Sequence, residues 1–484
     1  MDILKEVRPF GRAAAVLWCA FASVALYVAF SGWRYDDPYI TYRYAENIAR
    51  GSGFVYNAGE YILSTTTPAF AALLAALRFA GVQNLHAAAL VIGCASIGVG
   101  AWALFLLLQS AGRPRAAWTA VLIYPVLLLL TNTLSSETPT FLALTLCALA
   151  AYARGRWVLT ALCCSLAMLV RGDGALLVAV LCIDYVVRRF DDLRAGRLLV
   201  PWPALVAFLV IVGAWSIWAT AYFGSPFPVT LAAKRAQGIM QISTSFFDGL
   251  TGLPRYLPSL LRWPEIAVAA FGAVAALRHR RVDSLLVVWT AAYVAAYSAL
   301  GVTRYFWYYA PVVPGFVLCL ALGLDELFAW ISTRVAAAAR FGYGAAVGLI
   351  LLGHVVHMAP AAGQTDPRYS IYRSTGEWLR ANTPAAARLG MLEVGVIGYY
   401  ADRTVVDFAG LVQPDVATRI EPASTYDDLA LYAIEAHRPD WLVLIDGALP
   451  KSEARARERC VMRQQFPGDS YAAPISLSVW QCPT

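Results

Sequence analysis

Long apolar runs separated by short polar segments dominate the chain from residue 13 to residue 358. An α-helix rises about 1.5 Å per residue, so roughly 20 apolar residues cross the hydrocarbon core of a bilayer. Some runs are shorter, and we expect flanking polar residues to extend those helices. The pattern predicts about eleven transmembrane helices, at residues 13–31, 84–109, 116–130, 138–152, 158–170, 175–187, 198–223, 266–277, 284–300, 305–324 and 342–358.

Composition agrees with this pattern. Of the 484 residues, 59% are hydrophobic and only 14% are charged, which is more apolar than soluble domains. The net charge of +7 does not indicate nucleic-acid binding, because most arginines lie in short loops between apolar runs. We therefore predict a polytopic α-helical membrane protein whose surroundings are the lipid bilayer, with no nucleic acid among its partners.

Positive charges predict the orientation in the membrane, because cytoplasmic loops carry an excess of Lys and Arg. With a cytoplasmic N-terminus, every inner segment carries at least two basic residues, and the short outer loops carry one or none. The inner basic residues are Lys5, Arg8, Arg12, Arg113, Arg115, Arg154, Arg156, Arg188, Arg189, Arg194, Arg197, Arg278, Arg280, Arg281, Arg334 and Arg340. This orientation places the C-terminal part of the chain outside.

Polar residues at unusual positions near helix ends gather on the outer face in this topology, which predicts a single extracytoplasmic site. They are Asp36, Asp37, Glu137, Arg171, Asp173, Lys234, Arg235, Arg304 and Tyr305. The first outer segment, residues 32–83, also holds two helix-like stretches at 40–50 and 68–79. Both are too short to cross the bilayer, so we expect interfacial helices lying along its surface.

The composition changes after residue 362, where helix-like and strand-like stretches alternate. Helices are predicted at residues 372–382 and 426–437, and strands at 388–393, 404–409, 441–446 and 475–481. We expect residues 1–362 to form the transmembrane domain and residues 363–484 a small extracytoplasmic α/β domain. Cys460 and Cys482 then lie on the oxidising side, either as a disulfide or as two free thiols.

The acidic pair Asp36 and Asp37 stands where the first predicted helix leaves the membrane. Carboxylates are costly near hydrocarbon and mark functional sites by default. One of them has a simple structural alternative as the N-cap of the next helix, which leaves the second unexplained. Glu137 also stands at a predicted helix start, where a carboxylate favours the helix dipole, so capping and function are both open.

The basic candidates have structural alternatives too. Arg171 and Asp173 can form an ion pair that closes a tight turn, and Lys234 can be a solvated charge in a long outer loop. Arg304 can anchor the chain at the interface, within an aromatic belt formed by Tyr305, Trp307, Tyr308 and Tyr309. The charge rule predicts few basic residues in outer loops. A lone arginine there favours an anionic partner for Arg304.

The longest motif is Asp36-Asp37-x-x-Ile40-Thr41-x-Arg43-Tyr44-Ala45-x-Asn47, followed by Gly51-x-Gly53-x-Val55-Tyr56-Asn57-x-Gly59-Glu60. Further motifs are Glu137-Thr138-Pro139, Arg171-Gly172-Asp173-Gly174, Pro228-Val229-Thr230-x-x-x-Lys234 and Arg304-Tyr305. Together they resemble the GT-C class of membrane glycosyltransferases that use polyprenyl-phosphate sugars. Within that class the chain is most similar to the bacterial arabinofuranosyltransferase and mannosyltransferase-like branch, although Val229 stands where the family pattern has asparagine.

The resemblance implies a transferase in the bacterial plasma membrane that makes cell-envelope glycans or glycoconjugates. It would move a sugar, with inversion, from a polyprenyl-phosphate donor to a hydroxyl of a glycan, lipid-linked or protein acceptor. It implies Asp36 as the general base, with Asp37 orienting the acceptor or sharing that role.

The resemblance also implies the residues around the substrates. Lys234 and Arg304 would hold the donor phosphate, with Arg235 and Arg171 as weaker candidates. Substrate contacts would come from Arg43, Tyr44, Asn57, Glu60, Glu137, Asp173 and Tyr305. A monophosphate leaving group implies no cofactor, and the carboxylate pair leaves a divalent metal open.

Two other function classes fit parts of the pattern. Polar residues near the membrane and interrupted helices also suit a transporter or flippase for a lipid-linked or anionic solute. Against transport, the sequence shows no two-fold symmetry, and the polar residues gather on one face. A non-catalytic scaffold with a partner-binding outer domain leaves the acidic pair without a role.

The predicted topology is testable by cysteine labelling. Cysteines introduced near Asn57, Ser225 and Ser424 should react with an impermeant thiol reagent in intact cells, because these positions lie in outer segments. Cysteines near Arg194 and Arg280 should react only after permeabilisation. Labelling near Arg280 from outside would reverse the charge argument and move the predicted site.

Overall fold

The computed structural model describes residues 9–197, 200–279 and 281–483. Lys5, Arg8 and Arg280, which the charge argument uses, lie outside these residues. Within them, all eleven predicted apolar runs are largely helical. The helices up to residue 358 are α1 (Pro9–Phe30), α2 (Pro38–Ala49), α3 (Pro68–Phe79), α4 (Leu85–Ser110), α5 (Pro114–Ile123), α6 (Leu128–Thr131), α7 (Thr138–Tyr152), α8 (Trp157–Val170), α9 (Gly174–Arg188), α10 (Phe190–Arg194), α11 (Trp202–Phe223), α12 (Thr230–Ile239), α13 (Phe246–Gly249), α14 (Arg262–His279), α15 (Ser284–Leu300), α16 (Val313–Ser332) and α17 (Ala336–Met358).

Helix length separates the runs that can cross a bilayer alone from those that cannot. Among the described residues, five helical segments are long and apolar enough to span it, and helices α14 and α15 add a sixth if the bent pair is one span. The five are Gly11–Phe30, Leu85–Ser110, Trp202–Phe223, Phe306–Ser332 and Phe341–Ala361. Several apolar segments of this length identify a multi-pass membrane protein, but the predicted count of eleven crossings is not confirmed.

Glycines allow close packing inside the helical part. A side chain at Gly272 of α14 would collide with the carbonyl oxygen of Cys319 in α16, and one at Gly323 would collide with that of Val268. Within lipid the hydrophobic effect does not drive helices together, so van der Waals packing does. Small residues let the backbones of membrane helices approach closely enough for this packing. Helices α14 and α16 therefore cross with their backbones in contact.

The first outer segment differs from its prediction in burial. Helices α2 and α3 are found close to the predicted ranges, but α2 is not a surface helix. Tyr39, Tyr42 and Tyr44 are almost fully buried. The rings of Tyr39 and Tyr42 pack against Tyr399 of the C-terminal region, defined here as residues 363–484. Helix α2 is therefore covered by the C-terminal region rather than by lipid headgroups or water.

The C-terminal region contains one mixed five-stranded sheet, with strand order β2-β1-β3-β5-β4. Strands β2, β1 and β3 are parallel, whereas β5 runs antiparallel to both β3 and β4. The strands are β1 (Arg388–Met391), β2 (Thr404–Asp407), β3 (Trp441–Ile445), β4 (Val461–Phe466) and β5 (Leu477–Gln481). The helices are α18 (Tyr369–Asn382), α19 (Val396–Ala401), α20 (Pro414–Ala417), α21 (Tyr426–His437) and α22 (Pro450–Arg459).

Four of the five strands were predicted, and β4 was missed. Strand β4 lies at the edge of the sheet, and its residues Arg463, Gln464 and Gln465 interrupt the apolar pattern of a strand. An edge strand faces water along one side and tolerates such polar residues. Its strand pairing was therefore not visible from periodicity.

A disulfide joins Cys460 to Cys482. These residues flank the paired positions Val461 and Gln481, so the bond ties the edge strand β4 to β5. The disulfide alternative left open by the sequence is the one present in the structure.

This bond should stabilise the folded protein by about 2–4 kcal/mol, mainly by restricting the unfolded chain. Replacing both Cys460 and Cys482 by serine should lower the thermal unfolding midpoint of the detergent-purified protein, and reductant should then change nothing further. The matched control is Cys182→Ser, which removes an exposed free thiol. An equal shift in the control would show that the bond contributes no stability.

Candidate active site

The two adjacent carboxylates of the first outer segment have different surroundings. The Asp36 carboxylate accepts the backbone N–H of Gly395 at 3.0 Å and that of Val396 at 2.7 Å, one with each oxygen. Position 395 needs glycine, because a side chain there would collide with Asp36. Burial raises the pKa of Asp36, and the nearby Glu393 carboxylate raises it further. Asp36 thus anchors the first outer segment to the start of α19.

Asp37 occupies the N-cap position of α2, but its carboxylate does not cap the helix. Within the described residues this side chain makes no hydrogen bond and no ion pair. Its charge nevertheless acts on Lys234, Glu137 and Tyr35, and it raises the pKa of each of them. Asp37 is therefore the carboxylate of the acidic pair that remains open to a ligand.

Lys234 lies in a cage of three aromatic rings. Its Nζ atom is 5.6 Å from the ring centre of Tyr305, 6.0 Å from that of Trp307 and 5.3 Å from that of Tyr308. Burial alone would lower the pKa of Lys234, but the Tyr308 hydroxyl and then Asp37 raise it above its ordinary value. The Tyr308 hydroxyl accepts a hydrogen bond from this ammonium group, but no carboxylate among the described residues pairs with it, so its remaining donors are available to an anion.

Backbone and amide contacts hold the helix that carries Lys234. The N–H of Val229 donates to the carbonyl oxygen of Leu63 at 2.9 Å, and Gln237 Nε2 donates to that of Ala409 at 2.9 Å. Helix α12 is thereby fixed to the first outer segment at one end and to the C-terminal region at the other. The contact at Val229 is made by the backbone, so it does not need the asparagine of the family pattern.

Arg171 forms a buried network rather than an open cationic site. It pairs with Glu137 at 3.0 Å and with Asp173 at 2.8 Å, and the Tyr297 hydroxyl donates to the other oxygen of Asp173 at 2.7 Å. The predicted ion pair between Arg171 and Asp173 is present. Two carboxylates neutralise this guanidinium, so it has no spare charge for a phosphate. Glu137 makes no capping bond to α7.

The structure does not bring Arg304 or Arg235 to Lys234. Arg304 is exposed, and its side chain packs against Gly249. Tyr305 is extended, with φ −129° and ψ 145°, so successive side chains there point in opposite directions. Tyr305 faces Lys234 and Arg304 faces away. Arg235 is exposed and has no polar contact among the described residues.

Arg43 is used by the protein itself. Its Nε atom donates to the carbonyl oxygen of Tyr56 at 2.8 Å, and its two other nitrogens donate to those of Gly398 and Arg403. Gly398 must lack a side chain, because a Cβ there would collide with the Tyr56 hydroxyl. These contacts dock α2 onto the C-terminal region, and the substrate contact expected of Arg43 stays a prediction.

Asn57 and Tyr44 also make internal contacts. Asn57 exchanges two hydrogen bonds with the backbone of Val405, at 2.8 Å and 3.0 Å, and donates to Glu60 at 2.9 Å. The buried Tyr44 hydroxyl bonds Ser64 at 2.5 Å. These residues were expected to contact substrate, whereas their contacts here bind the first outer segment to strand β2 and to itself.

Two groups at the site were not identified from the sequence. Trp307 and Tyr308 were expected in an interfacial belt, but they form the cage around Lys234. The aromatic run after Arg304 was the available signal, and its cationic partner was not visible. Tyr297 completes the Arg171 network from another helix, a tertiary contact for which the chain carries no local signal.

The site therefore presents an open carboxylate, Asp37, and an open ammonium group, Lys234. They influence each other electrostatically but form no ion pair within the described residues. Among the described residues, no group of three or more His, Cys, Asp or Glu side chains is arranged to hold a metal ion. The arrangement can accept a proton at one end and bind an anion at the other.

Comparison of the sequence with known families and proteins gives one partial match. Residues 361–478 match a family model described as a domain of unknown function, DUF8728. No curated protein matches the chain significantly. The matched range covers most of the C-terminal region and none of the residues that form the open site.

Comparison of the structure gives matches over nearly the whole chain. ArnT from Cupriavidus metallidurans bound to undecaprenyl phosphate matches with a TM-score of 0.63 and 14% identity, covering 97% of this chain and 98% of that one. The same enzyme in the apo state matches with a TM-score of 0.62 and 17% identity, covering 97% and 98%. The archaeal oligosaccharyltransferase AglB from Archaeoglobus fulgidus, in complex with an inhibitory peptide and a dolichol-phosphate, matches at 0.61 and 15% identity, covering 95% and 73%.

These identities are too low to transfer an activity, but the similarity spans both the helical part and the C-terminal region. It does not single out the arabinofuranosyltransferase and mannosyltransferase-like branch, which stays a prediction. The chain has the GT-C-like fold that its sequence motifs predicted.

Proposed function

We propose that this protein is a glycosyltransferase that moves a sugar from a polyprenyl-phosphate donor to an acceptor hydroxyl, with inversion at the anomeric carbon. The reaction takes place on the extracytoplasmic face of a bacterial plasma membrane, in the synthesis of a cell-envelope glycan or glycoconjugate. The observation that carries the proposal is the open Asp37 carboxylate near the caged Lys234 ammonium group, which no carboxylate among the described residues neutralises. The shared fold with two enzymes whose solved structures hold polyprenyl phosphates supports it.

Asp37 is the general base in this proposal. The acceptor oxygen forms a bond to the anomeric carbon, its proton passes to the Asp37 carboxylate, and the bond from that carbon to the phosphate oxygen breaks. The sequence expectation gave the base role to Asp36. Both oxygens of Asp36 accept backbone N–H groups, so the role moves to its neighbour, whose oxygens are free.

Lys234 holds the leaving phosphate. Negative charge develops on the polyprenyl phosphate as the sugar departs, and a nearby ammonium group stabilises that charge. The aromatic cage restricts Lys234 without neutralising it, because ring faces attract a cation but accept no proton. Tyr305 is a wall of this site, in agreement with its expected place near the substrate.

An apolar cavity of about 250 Å³ suits the start of the polyprenyl chain. Leu250, Leu257 and Ile266 are among its lining residues, together with Tyr256. Arg304 and Tyr256 lie near the same tyrosine, Tyr309, so Arg304 stands beside this cavity rather than beside Lys234. We assign Arg304 to the incoming lipid phosphate and Lys234 to the phosphate at the moment of transfer.

The finer architecture belongs to the same proposal. We propose eleven crossings, a cytoplasmic N-terminus, a transmembrane domain of residues 1–362 and an extracytoplasmic α/β domain of residues 363–484. The convergence of Asp37, Glu137, Arg171 and Lys234 supports one outer site, because the charge rule assigns all four to the same face. The similarity of the motifs to the arabinofuranosyltransferase and mannosyltransferase-like branch supports an envelope glycan product.

A panel of radiolabelled polyprenyl-phosphate sugars, incubated with detergent-purified protein and membrane extract, tests the reaction. Label that moves from the lipid to a new product identifies the donor. A transporter or flippase leaves the label on its lipid. In detergent no membrane separates two compartments, so such a protein has nowhere to move the solute. The assay therefore separates the two function classes directly.

Replacing the base should stop transfer. The Asp37→Asn variant keeps the shape of the side chain but loses its proton affinity, so turnover should fall by about 100-fold or more. The measurement is label transfer at saturating donor and acceptor. Normal turnover of this variant would remove Asp37 from the mechanism.

The matched control is Asp36→Asn. The amide leaves one N–H at the start of α19 without an acceptor, which should cost about 1–3 kcal/mol of folding free energy. We expect a lower thermal unfolding midpoint and only a partial loss of turnover. If Asp36→Asn folds normally and stops transfer while Asp37→Asn is active, the base is Asp36.

Removing the charge of Lys234 should weaken donor use more than acceptor use. A charge-assisted contact is worth about 1.5–3 kcal/mol, which corresponds to a loss of about tenfold to hundredfold in kcat/KM for the donor. Lys234→Gln should show this loss, and Lys234→Arg should retain part of the activity. The control Arg235→Gln changes an exposed neighbour and should behave like the unmodified protein. Unchanged donor kinetics in Lys234→Gln would leave Lys234 without a role in transfer.

A further inference from the structure

A second polar cavity, of about 290 Å³, lies between helices α2 and α3 and the C-terminal region. Guanidinium groups outnumber carboxylates in its wall, four to two. The arginines are Arg43, Arg50, Arg78 and Arg380, and the carboxylates are Glu46 and Asp402. The cavity therefore carries an excess of two positive charges, which favours an anionic ligand.

The internal pairs of the cavity leave part of this charge uncompensated. Glu46 is shared between Arg50 at 2.9 Å and Arg78 at 2.8 Å, and Asp402 pairs with Arg50 at 2.8 Å. Arg380 is exposed, and among the described residues its guanidinium has no hydrogen-bond or ion-pair partner. A planar guanidinium matches the two oxygens of a carboxylate or phosphate.

Aromatic and polar side chains complete the wall. Tyr399 lines the cavity, and its hydroxyl makes no hydrogen bond within the described residues. Asn47 and Gln83 add amide groups. A volume of this size is at the lower end of the ~300–1,000 Å³ typical of small-ligand pockets, so it suits one sugar unit rather than a long oligosaccharide.

Helix α2 separates this cavity from the open site. Glu46 follows Asp37 by nine residues, which corresponds to about 13 Å along the helix axis and to a rotation of about 900°, so the two side chains lie on opposite faces of α2. Most residues of α2 between them are buried, so the cavity is a binding place separate from the chemistry.

We propose that this cavity binds an acidic sugar unit of the acceptor glycan, with Arg380 holding its carboxylate or phosphate group and the internally paired arginines adding positive charge. The identification of this glycan as an acceptor rests on the proposed transferase function. Binding of the glycan itself does not require transfer. An acidic glycan is thereby selected at a place separate from the chemistry.

Calorimetric titration of the detergent-purified full-length protein tests the binding. The probes are tetragalacturonate, which is acidic, maltotetraose, which is neutral, and inorganic phosphate. We expect tetragalacturonate to bind, to weaken as salt is added, and to bind at least tenfold more weakly to Arg380→Gln. The matched control Arg459→Gln changes an exposed arginine of the same region outside the cavity and should bind normally.

The Asp37→Asn variant separates this inference from the proposed function. It should bind tetragalacturonate like the unmodified protein even though it transfers no sugar. Absence of tetragalacturonate binding, equal binding of maltotetraose, or unchanged binding in Arg380→Gln would each overturn the inference. Binding of phosphate alone that depends on Arg380 would overturn it as well, since the cavity would then be a site for a small free anion.

Discussion

Docking of the first outer segment onto residues 394–405 is the interaction on which the site depends. Three side chains of the first outer segment pair with backbone groups of residues 394–405 that would otherwise be buried without partners. They belong to Asp36, Arg43 and Asn57. An unpaired buried polar group costs about 1–3 kcal/mol, and a charged one costs more, so these contacts specify one relative position. They fix the start of α2, and with it the position of Asp37. The geometry of the proposed site in the helical part is thus set by contacts with the C-terminal region.

The buried ammonium group of Lys234 gives the site its preference for an anion. Three ring faces contribute about 0.5–2 kcal/mol each of cation–π attraction, depending on how far the rings and the cation are desolvated. They do not replace the hydrogen bonds that the ammonium group makes in water. In the proposed reaction, an arriving phosphate restores those bonds in a half-buried place, where they are stronger than in bulk water. The cage therefore positions the ammonium group and leaves its remaining hydrogen-bond donors free for the leaving phosphate of the proposed reaction.

Local patterns in the sequence predicted the helices, four of five strands and the acidic segment, because apolar periodicity and turn residues are properties of neighbouring positions. The same patterns did not predict that α2 is buried, since its cover comes from Tyr399, more than 350 positions later. The number of crossings stays a prediction, because length and composition identify only five or six spans among the described residues. In the largely apolar run 116–130, Pro125 falls in a 3₁₀ turn, Tyr124–Val126, that interrupts the helix.

The division of roles between adjacent residues explains why a motif identifies a segment but not the side chain within it that is open to a ligand. Asp36 and Asp37 are neighbours, but one carboxylate meets α19 and the other faces the open site. Lys234 turns into the aromatic cage while Arg235 faces water, since consecutive residues of a helix lie about 100° apart. A charged pair in a motif thus combines one side chain that is caged or anchored with another that is exposed or free. Which member does the chemistry depends on where the neighbouring chain passes, and that is decided only by the folded structure.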